Sequence, residues 1–239
     1  MSHPESPLAR LLGAVEDAIF PPICGGCRKR GVWLCDACWA QVRYVPSPVC
    51  GRCGHPMQRA GDPCRWCREW PAGLSSVRAA FVFEGAMRSS IHRFKYRGEH
   101  ARGHFLGQLL ADHAENTVAR RKEPSDIVLP VPLHLRRRRA RGYNQAEILA
   151  KRVAERLGLP LSSGLIRSGK TQPQATLGRT ERWENVKNVF QWKGAPLAGA
   201  NVLLIDDVTT TGATLASAAT VVMAAGAGQV NGLTLAREV

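Results

Sequence analysis

Short apolar runs alternate with helix-like stretches over the last two-thirds of the chain. Unbroken apolar runs are typical of strands that are buried on both faces of a parallel sheet. The runs predict strands at residues 77–83, 126–132, 202–205 and 229–236, with one more near residue 189. Their alternation with helices predicts an α/β domain over residues 77–239, with a mostly parallel sheet flanked by helices.

Helical periodicity marks the segments between these strands. It predicts helices at residues 87–94, 103–121 and 215–225, and one that follows Asn144. Glu147 lies three residues after Asn144, which is the pattern of a capping box, and Gly158 and Pro160 end the helix. A basic run with little helical patterning, His134 to Arg141, comes between the second strand and this helix.

Residues 1–20 carry apolar side chains at helical spacing, but acidic residues interrupt them. The pattern therefore predicts a short amphipathic helix that docks on its own protein, and not a signal peptide. No apolar run approaches the roughly 18 residues that a membrane span needs. We expect a cytoplasmic protein.

The most informative stretch runs from Asn201 to Thr214. A buried strand leads into Asp206 and Asp207, then into a loop of small residues around Gly212, and then into a helix. A loop that opens a helix offers free N–H groups and the positive end of the helix dipole to a phosphate. The two carboxylates are suited to accept hydrogen bonds from vicinal hydroxyls such as those of a ribose. The stretch therefore predicts a ribose 5-phosphate site, the alternative being an ordinary turn with solvated aspartates.

All eight cysteines lie between residues 24 and 67, in four Cys-x-x-Cys pairs. This repetition predicts two tetrahedral thiolate zinc sites, either from neighbouring pairs or from interleaved ones. Disulfides and a redox pair are the alternatives, and an intracellular protein disfavours disulfides. The predicted ligands are Cys24, Cys27, Cys35, Cys38, Cys50, Cys53, Cys64 and Cys67. The module over residues 21–70 also holds four tryptophans, which are expected to fill its small core rather than to stack on bases.

The chain is strongly basic, with 33 Lys and Arg against 19 Asp and Glu and a net charge of +14. Two zinc sites with four thiolates each would lower this charge to about +10. The excess points to polyanionic ligands, either phosphorylated substrates or nucleic acid. No Gly-x-x-x-x-Gly-Lys-Ser/Thr motif is present, so a P-loop nucleotide site is not expected.

Two segments are candidates for contacts with such a ligand. Five arginines between residues 136 and 141 indicate a solvated basic loop or a nucleic-acid contact. As a loop after a parallel strand, however, the segment would lie on the ligand side of the sheet, and this second interpretation is preferred for some of the five. The polar, irregular stretch 164–192 is typical of a lid or binding segment, the alternative being a disordered connection.

The stretch 202–214 resembles the phosphoribosyl diphosphate (PRPP) signature of type I phosphoribosyltransferases. From Cys24 onward the chain resembles the ComF/GntX family, which joins a double zinc ribbon to a phosphoribosyltransferase domain. The resemblance includes Phe94-Lys-Tyr-Arg-Gly98, Arg141-Gly-Tyr-Asn-Gln145 and a series of lid residues that starts at Arg167. It implies a link to the uptake of transforming DNA or to sugar-acid metabolism.

In that family the acids hold the ribose hydroxyls, the threonine loop holds the 5′-phosphate, and Mg²⁺ accompanies the diphosphate. The PRPP-binding residues expected here are Lys95, Arg97, Arg137, Arg141, Asp206, Asp207, Thr209, Thr210, Thr211, Gly212 and Thr214, and the catalytic lid residues are Lys170 and Arg182. The expected function is transfer of a 5-phosphoribosyl group. The alternative is a non-catalytic PRPP sensor or a zinc protein that binds single-stranded DNA or a DNA-processing or helicase partner.

Overall fold

A computed structural model of the chain describes residues 21–60, 64–68, 70–121, 124–168 and 189–239. The predicted N-terminal helix over residues 1–20 and the predicted lid residues Lys170 and Arg182 lie outside these ranges. None of the helices within the described ranges is long and apolar enough to cross a lipid bilayer.

A four-stranded parallel sheet forms the centre of the molecule. Its strands are β1 (Leu74–Val82), β2 (Ile127–Pro130), β5 (Asn201–Thr209) and β6 (Gln229–Arg237), in the spatial order β1, β6, β5, β2. The predicted strands are all present, although β1 begins three residues earlier than the apolar run and β5 continues four residues past it. Asp206 and Asp207 are therefore part of β5 and do not follow it.

The two faces of the sheet are covered by different elements, as its uniformly apolar strands require. On one face Leu203 and Ile205 of β5 belong to a core with apolar residues of α2 (Gly85–Tyr96), α3 (His100–Arg121) and α5 (Gln145–Leu157). On the other, Val202 and Leu204 belong to a core with α6 (Ala213–Ala224) and the second half of the cysteine module. This alternation explains why every residue from Val202 to Ile205 is buried.

The helix after Asn144 begins and ends as predicted. The Asn144 side chain accepts a hydrogen bond from the Ala146 N–H at 3.2 Å, and Gly158 ends the helix with a φ of 65°. Glu147 does not complete the expected capping box, because its carboxylate faces Arg138 at 3.4 Å.

The basic run is a helix, and the prediction of a loop there was wrong. Residues Leu135–Arg141 form α4, whose first turn is capped by the His134 ring and whose last residue is followed by Gly142 at a φ of 84°. The helix directs its arginines to different sides. Arg137 and Arg141, four residues apart, are half-buried, whereas Arg136, Arg138 and Arg139 are exposed.

The strand predicted near residue 189 does not join the parallel sheet. It is β4 (Phe190–Trp192), which pairs antiparallel with β3 (Leu165–Arg167) in a separate two-stranded sheet. These strands stand at the two ends of the predicted irregular stretch, so at least its ends are regular. Arg167 lies over the Phe190 ring, 5.4 Å from its centroid.

The cysteine module consists of two small ribbons. We call residues 21–40 the first ribbon and residues 48–70 the second ribbon. Each contains an isolated antiparallel bridge, Ile23 to Arg30 in the first and Val49 to Pro56 in the second, and the first also contains α1 (Asp36–Trp39). Their tryptophans are half-buried or buried, in agreement with a packing role.

Candidate ligand-binding site

A cavity of about 360 Å³ lies at the carboxyl ends of β2 and β5. The cavity forms there because β2 ends at Pro130, opposite Ile205, whereas β5 continues to Thr209 with β6 as its partner. Among the described residues, the last four residues of β5 therefore pair with a neighbouring strand on one side only. Ligands of α/β sheets bind at this edge, and the volume is in the range of small-molecule sites.

The acid pair forms the floor of this cavity. Asp207 is buried and makes an ion pair with Lys95 at the end of α2, with 2.6 Å between Nζ and Oδ1. Asp206 accepts a hydrogen bond from the Asp207 backbone N–H at 2.8 Å. Burial and repulsion by Asp207 raise the pKa of Asp206 to about 7, although Lys95 and Arg167 attract the charged form. Asp206 is thus poised to gain from a ligand that donates hydrogen bonds or brings positive charge.

The threonine loop, residues 209–214, forms the next wall and leads into α6. Gly212 precedes the helix with a φ of 79°, a conformation that favours glycine. The Thr211 hydroxyl accepts a hydrogen bond from the Ala213 N–H at 3.3 Å. The loop therefore presents hydroxyl groups and the amino end of a 12-residue helix to the cavity, which is the environment of an anion site.

Basic side chains line the cavity from three elements. They are Arg88 and Lys95 of α2, Arg137 and Arg141 of α4, and Arg167 of β3. Burial and repulsion by Arg137 lower the pKa of the Arg167 guanidinium, which Asp206 partly offsets. Arginine stays protonated in proteins, so the wall remains positively charged. Arg141 also lies over the Tyr96 ring, with 5.0 Å to the centroid.

Gln145 supplies an unsatisfied donor in the same wall. It is the first residue of α5, is 2% exposed and lines the cavity. Its amide nitrogen Nε2 has no hydrogen-bond partner within the described part of the chain. A buried amide without a partner costs about 1–3 kcal/mol, a cost that a ligand oxygen in the cavity would remove.

Of the predicted PRPP residues, ten line this single cavity: Lys95, Arg137, Arg141, Asp206, Asp207, Thr209, Thr210, Thr211, Gly212 and Thr214. Arg97 is exposed and is not part of the wall. Their roles toward PRPP remain predictions. Lys95 is already paired with Asp207, so its first role is to neutralise the acid pair.

Sequence reasoning missed Arg88, Gln145 and Glu238 as wall residues. Glu238 follows the last strand directly and its N–H donates to the Thr209 carbonyl at 3.0 Å. Since parallel strands end at one edge of the sheet, the residue after β6 was a detectable candidate. Arg88 carried no comparable signal, because its place depends on how α2 packs on the sheet.

The eight cysteines form two separate clusters. Within each set of four, Cys24, Cys27, Cys35 and Cys38 or Cys50, Cys53, Cys64 and Cys67, the sulfur atoms lie within 4.8 Å of one another. The Cys53–Cys64 and Cys50–Cys67 sulfurs are 3.5 and 3.7 Å apart. Tetrahedral zinc with Zn–S bonds of about 2.3 Å requires sulfur separations of roughly 3.8 Å.

All eight thiols are free, which excludes the disulfide alternative among them. The chain therefore has two four-cysteine zinc sites, each built from neighbouring pairs and not from interleaved ones. In the second ribbon, burial raises the pKa of the Cys53 and Cys67 thiols, whereas backbone N–H groups of Cys53 and Arg52 outweigh burial at Cys50 and lower the pKa of its thiol to about 7.

Comparison with known proteins agrees with this architecture. A family model described as a double zinc ribbon domain matches residues 15–68. Competence protein ComFC of Bacillus subtilis is 30% identical over 211 residues, covering 85% of this chain and 84% of that protein. DNA utilization protein YhgH of Salmonella typhimurium is 30% identical over 218 residues (88% and 94%), and competence protein F of Haemophilus influenzae is 31% identical over 188 residues (76% and 80%).

Two solved structures that match about half of this chain are named as phosphoribosyl enzymes. A glutamine phosphoribosylpyrophosphate amidotransferase from B. subtilis is 25% identical with a TM-score of 0.37, covering 55% of this chain and 25% of that chain. A hypoxanthine phosphoribosyltransferase from Staphylococcus aureus is 15% identical with a TM-score of 0.37, covering 56% of this chain and 64% of that chain.

The sheet, the acid pair with its threonine loop and the two four-cysteine clusters define a class of protein. It is an α/β fold, with a parallel sheet flanked by helices, that carries an N-terminal double zinc ribbon. Within this class, the identities over most of both chains show that the protein belongs to the ComF family of competence and DNA-utilization proteins.

Proposed function

We propose that the cavity binds PRPP and that the protein transfers its 5-phosphoribosyl group to an acceptor. One observation carries this proposal: a single cavity joins a carboxylate pair, a threonine loop that leads into a helix and a cluster of arginines. These three features are suited, in that order, to the three groups of PRPP: its vicinal hydroxyls, its 5′-phosphate and its diphosphate. A ligand with one phosphate would leave one of the positive regions without a partner.

The ribose end is assigned to β5 and the loop that follows it. Asp206 and Asp207 accept hydrogen bonds from the 2′ and 3′ hydroxyls, which stabilises the charged carboxylates against the burial and the mutual repulsion that raise the Asp206 pKa to about 7. The loop 209–214 receives the 5′-phosphate through its N–H and hydroxyl groups.

The diphosphate end is assigned to Arg137, Arg141 and Arg167, with Gln145 donating its buried amide N–H. Mg²⁺ fits this donor set, since it prefers carboxylate and phosphate oxygens, and Asp206, Asp207 and Glu238 are the carboxylates that line the cavity and would hold it. When bound, the ion neutralises charge on the diphosphate.

In the proposed reaction an acceptor attacks the anomeric carbon, and the bond from that carbon to the diphosphate oxygen breaks. Diphosphate leaves with the bonding electron pair, and positive charge develops on the sugar. Asp206 and Asp207 hold the ribose in place, and the arginines stabilise the departing anion. Lys170 and Arg182, which lie outside the described residues, retain the predicted role of a lid that excludes water.

An assay for diphosphate release tests transfer. The protein, PRPP and Mg²⁺ are incubated with a panel of nucleobases and small metabolites, in parallel with the Asp206→Asn, Asp207→Asn double variant. We expect at least one acceptor to raise diphosphate release well above the rate of the double variant. Equal rates for both proteins with every acceptor would reject transfer.

A second candidate function is supported by the outer side of α4. Arg136 and Arg139 are exposed there, and Tyr96, next to the cavity, is 62% exposed. Two of the related proteins are named for competence and one for DNA utilization. We infer that this surface contacts single-stranded DNA. The test is binding of a labelled oligonucleotide. Binding that weakens with salt and persists in the double Asp variant would support this function. Loss of oligonucleotide binding together with PRPP binding in that variant would contradict it.

A further inference from the structure

The second ribbon lies directly against the threonine loop. Its last residue, Trp70, is 6% exposed and donates a hydrogen bond from Nε1–H to the Thr211 carbonyl at 3.2 Å. The indole also covers Gly212, since a Cβ added to this glycine would lie 2.1 Å from the ring. The ring thus holds two consecutive residues of the loop assigned to the 5′-phosphate.

The metal cluster of the same ribbon fixes the position of Trp70. Cys67 is a zinc ligand three residues before it, and the Trp70 N–H donates to the Cys67 carbonyl at 3.1 Å. Arg52, between Cys50 and Cys53, donates to the carbonyls of Cys67 at 3.2 Å and of Trp70 at 3.0 Å. A single guanidinium therefore ties the metal knuckle to the turn that carries the indole.

The first ribbon is attached to a different part of the domain. Arg102 of α3 is fully buried, donates to the Trp33 carbonyl at 3.0 Å and lies 4.8 Å from the centroid of the Trp33 ring. Trp39 packs edge-on against Phe81 of β1 at 5.9 Å. These contacts lead to α3 and β1, whereas those of Trp70 lead to the threonine loop.

We propose that Trp70 is a positioning residue for the threonine loop, and that zinc in the second site, but not in the first, sets the affinity for the phosphate on this loop. The inference rests on the proposed function, because that function places a phosphate there. A four-cysteine ribbon without its metal unfolds, which would release Arg52 and Trp70 together. The loop would then have to be ordered by the ligand, and the ordering would reduce affinity.

Three probes separate the two ends of the site: PRPP with Mg²⁺, ribose 5-phosphate, and inorganic diphosphate. For Trp70→Ala we expect roughly tenfold weaker binding of PRPP and ribose 5-phosphate by calorimetry, and unchanged binding of diphosphate. Trp70→Phe keeps the ring but loses the donor and should give about a threefold loss. Trp66→Ala is the matched control, since this half-buried indole of the same ribbon packs on His55 at 4.5 Å.

A matched pair of variants in the zinc-binding cysteines tests the role of the metal. Cys64→Ser removes a ligand of the second site and Cys35→Ser removes one of the first, and both side chains are half-buried. Each variant is measured as the full chain, with its zinc content determined. We expect Cys64→Ser to weaken ribose 5-phosphate binding at least as much as Trp70→Ala does, and Cys35→Ser to leave it unchanged.

Amide hydrogen exchange without ligand provides a measurement that does not depend on PRPP. Trp70→Phe and Cys64→Ser should speed exchange in residues 209–213, while Cys35→Ser and Trp66→Ala should not. If wild type binds no PRPP but these exchange changes occur, the proposed function fails and the coupling stands. Equal exchange in the Cys64 and Cys35 variants, or wild-type affinity and exchange in Trp70→Ala, would overturn the coupling.

Discussion

Replacing Asp206 by asparagine should stabilise the unliganded protein in a pH-dependent way. The carboxylate is inside β5, next to a second aspartate, and burial followed by repulsion from Asp207 raises its pKa from 3.8 to about 7. Asparagine has the same shape and retains an oxygen for the hydrogen bond from the Asp207 N–H. The substitution therefore removes the charge with little change in packing.

The magnitude follows from linkage. Because the folded pKa is raised, the contribution of this carboxyl to stability is fully present below pH 3.8 and is lost as the pH rises through 7. At about 1.4 kcal/mol per pH unit, the loss approaches roughly 4 kcal/mol at pH 8 and is about 1.5 kcal/mol at pH 5. The asparagine side chain does not titrate, so the gain from the substitution should be about 2.5 kcal/mol larger at pH 8 than at pH 5.

Urea unfolding of the full chain at both pH values, without PRPP, measures this difference. Asp112→Asn is the control, because Asp112 is half exposed and pairs with Arg156 at 2.7 Å at the surface. The control should change stability by less than about 0.5 kcal/mol at either pH. The same gain for Asp206→Asn at pH 5 and pH 8, or a loss at pH 8, would refute the assigned burial and repulsion.

Three further substitutions probe the walls of the cavity. Gln145→Leu should stabilise the unliganded protein by about 1–2 kcal/mol in urea unfolding, because it removes a buried donor that has no partner among the described residues. It should also weaken diphosphate binding in calorimetry, and lower stability or unchanged binding would count against that role. Arg137→Ala should weaken diphosphate binding roughly tenfold, whereas Arg139→Ala on the exposed side of α4 should not. Equal losses of diphosphate affinity would contradict the assignment of only one side of α4 to the cavity. Gly212→Ala should lower the melting temperature much more than Gly142→Ala, since both glycines have a positive φ but only a Cβ at residue 212 would collide with an indole ring. Equal shifts in melting temperature would argue against the packing of Trp70 on Gly212.

Local patterns were sufficient to predict the four strands of the parallel sheet, but not that β5 continues through Asp206 and Asp207. The run from Val202 to Ile205 predicts a strand buried on both faces, and each face of β5 is covered by a separate core. The cysteine spacing likewise predicts two thiolate clusters, which the structure forms from neighbouring pairs. These features depend on residues close in sequence, so they can be predicted from the sequence alone.

Features set by tertiary contacts were not predictable in this way. The basic run at Arg137 has repelling neighbours that suggest a loop, yet the His134 cap, Gly142 and the Arg138–Glu147 pair stabilise a helix. The antiparallel pairing of β3 with β4 joins segments more than 20 residues apart. The packing of Trp70 on Gly212 depends on how the ribbon docks, which no local pattern reports.

The most direct test of the central claim is a calorimetric titration of the zinc-loaded protein with Mg²⁺ and PRPP. Wild type should bind one PRPP per chain, and the Asp206→Asn, Asp207→Asn double variant should show no measurable binding while keeping its zinc and its fold. Unchanged affinity in the double variant would contradict the assignment of this cavity as the PRPP site.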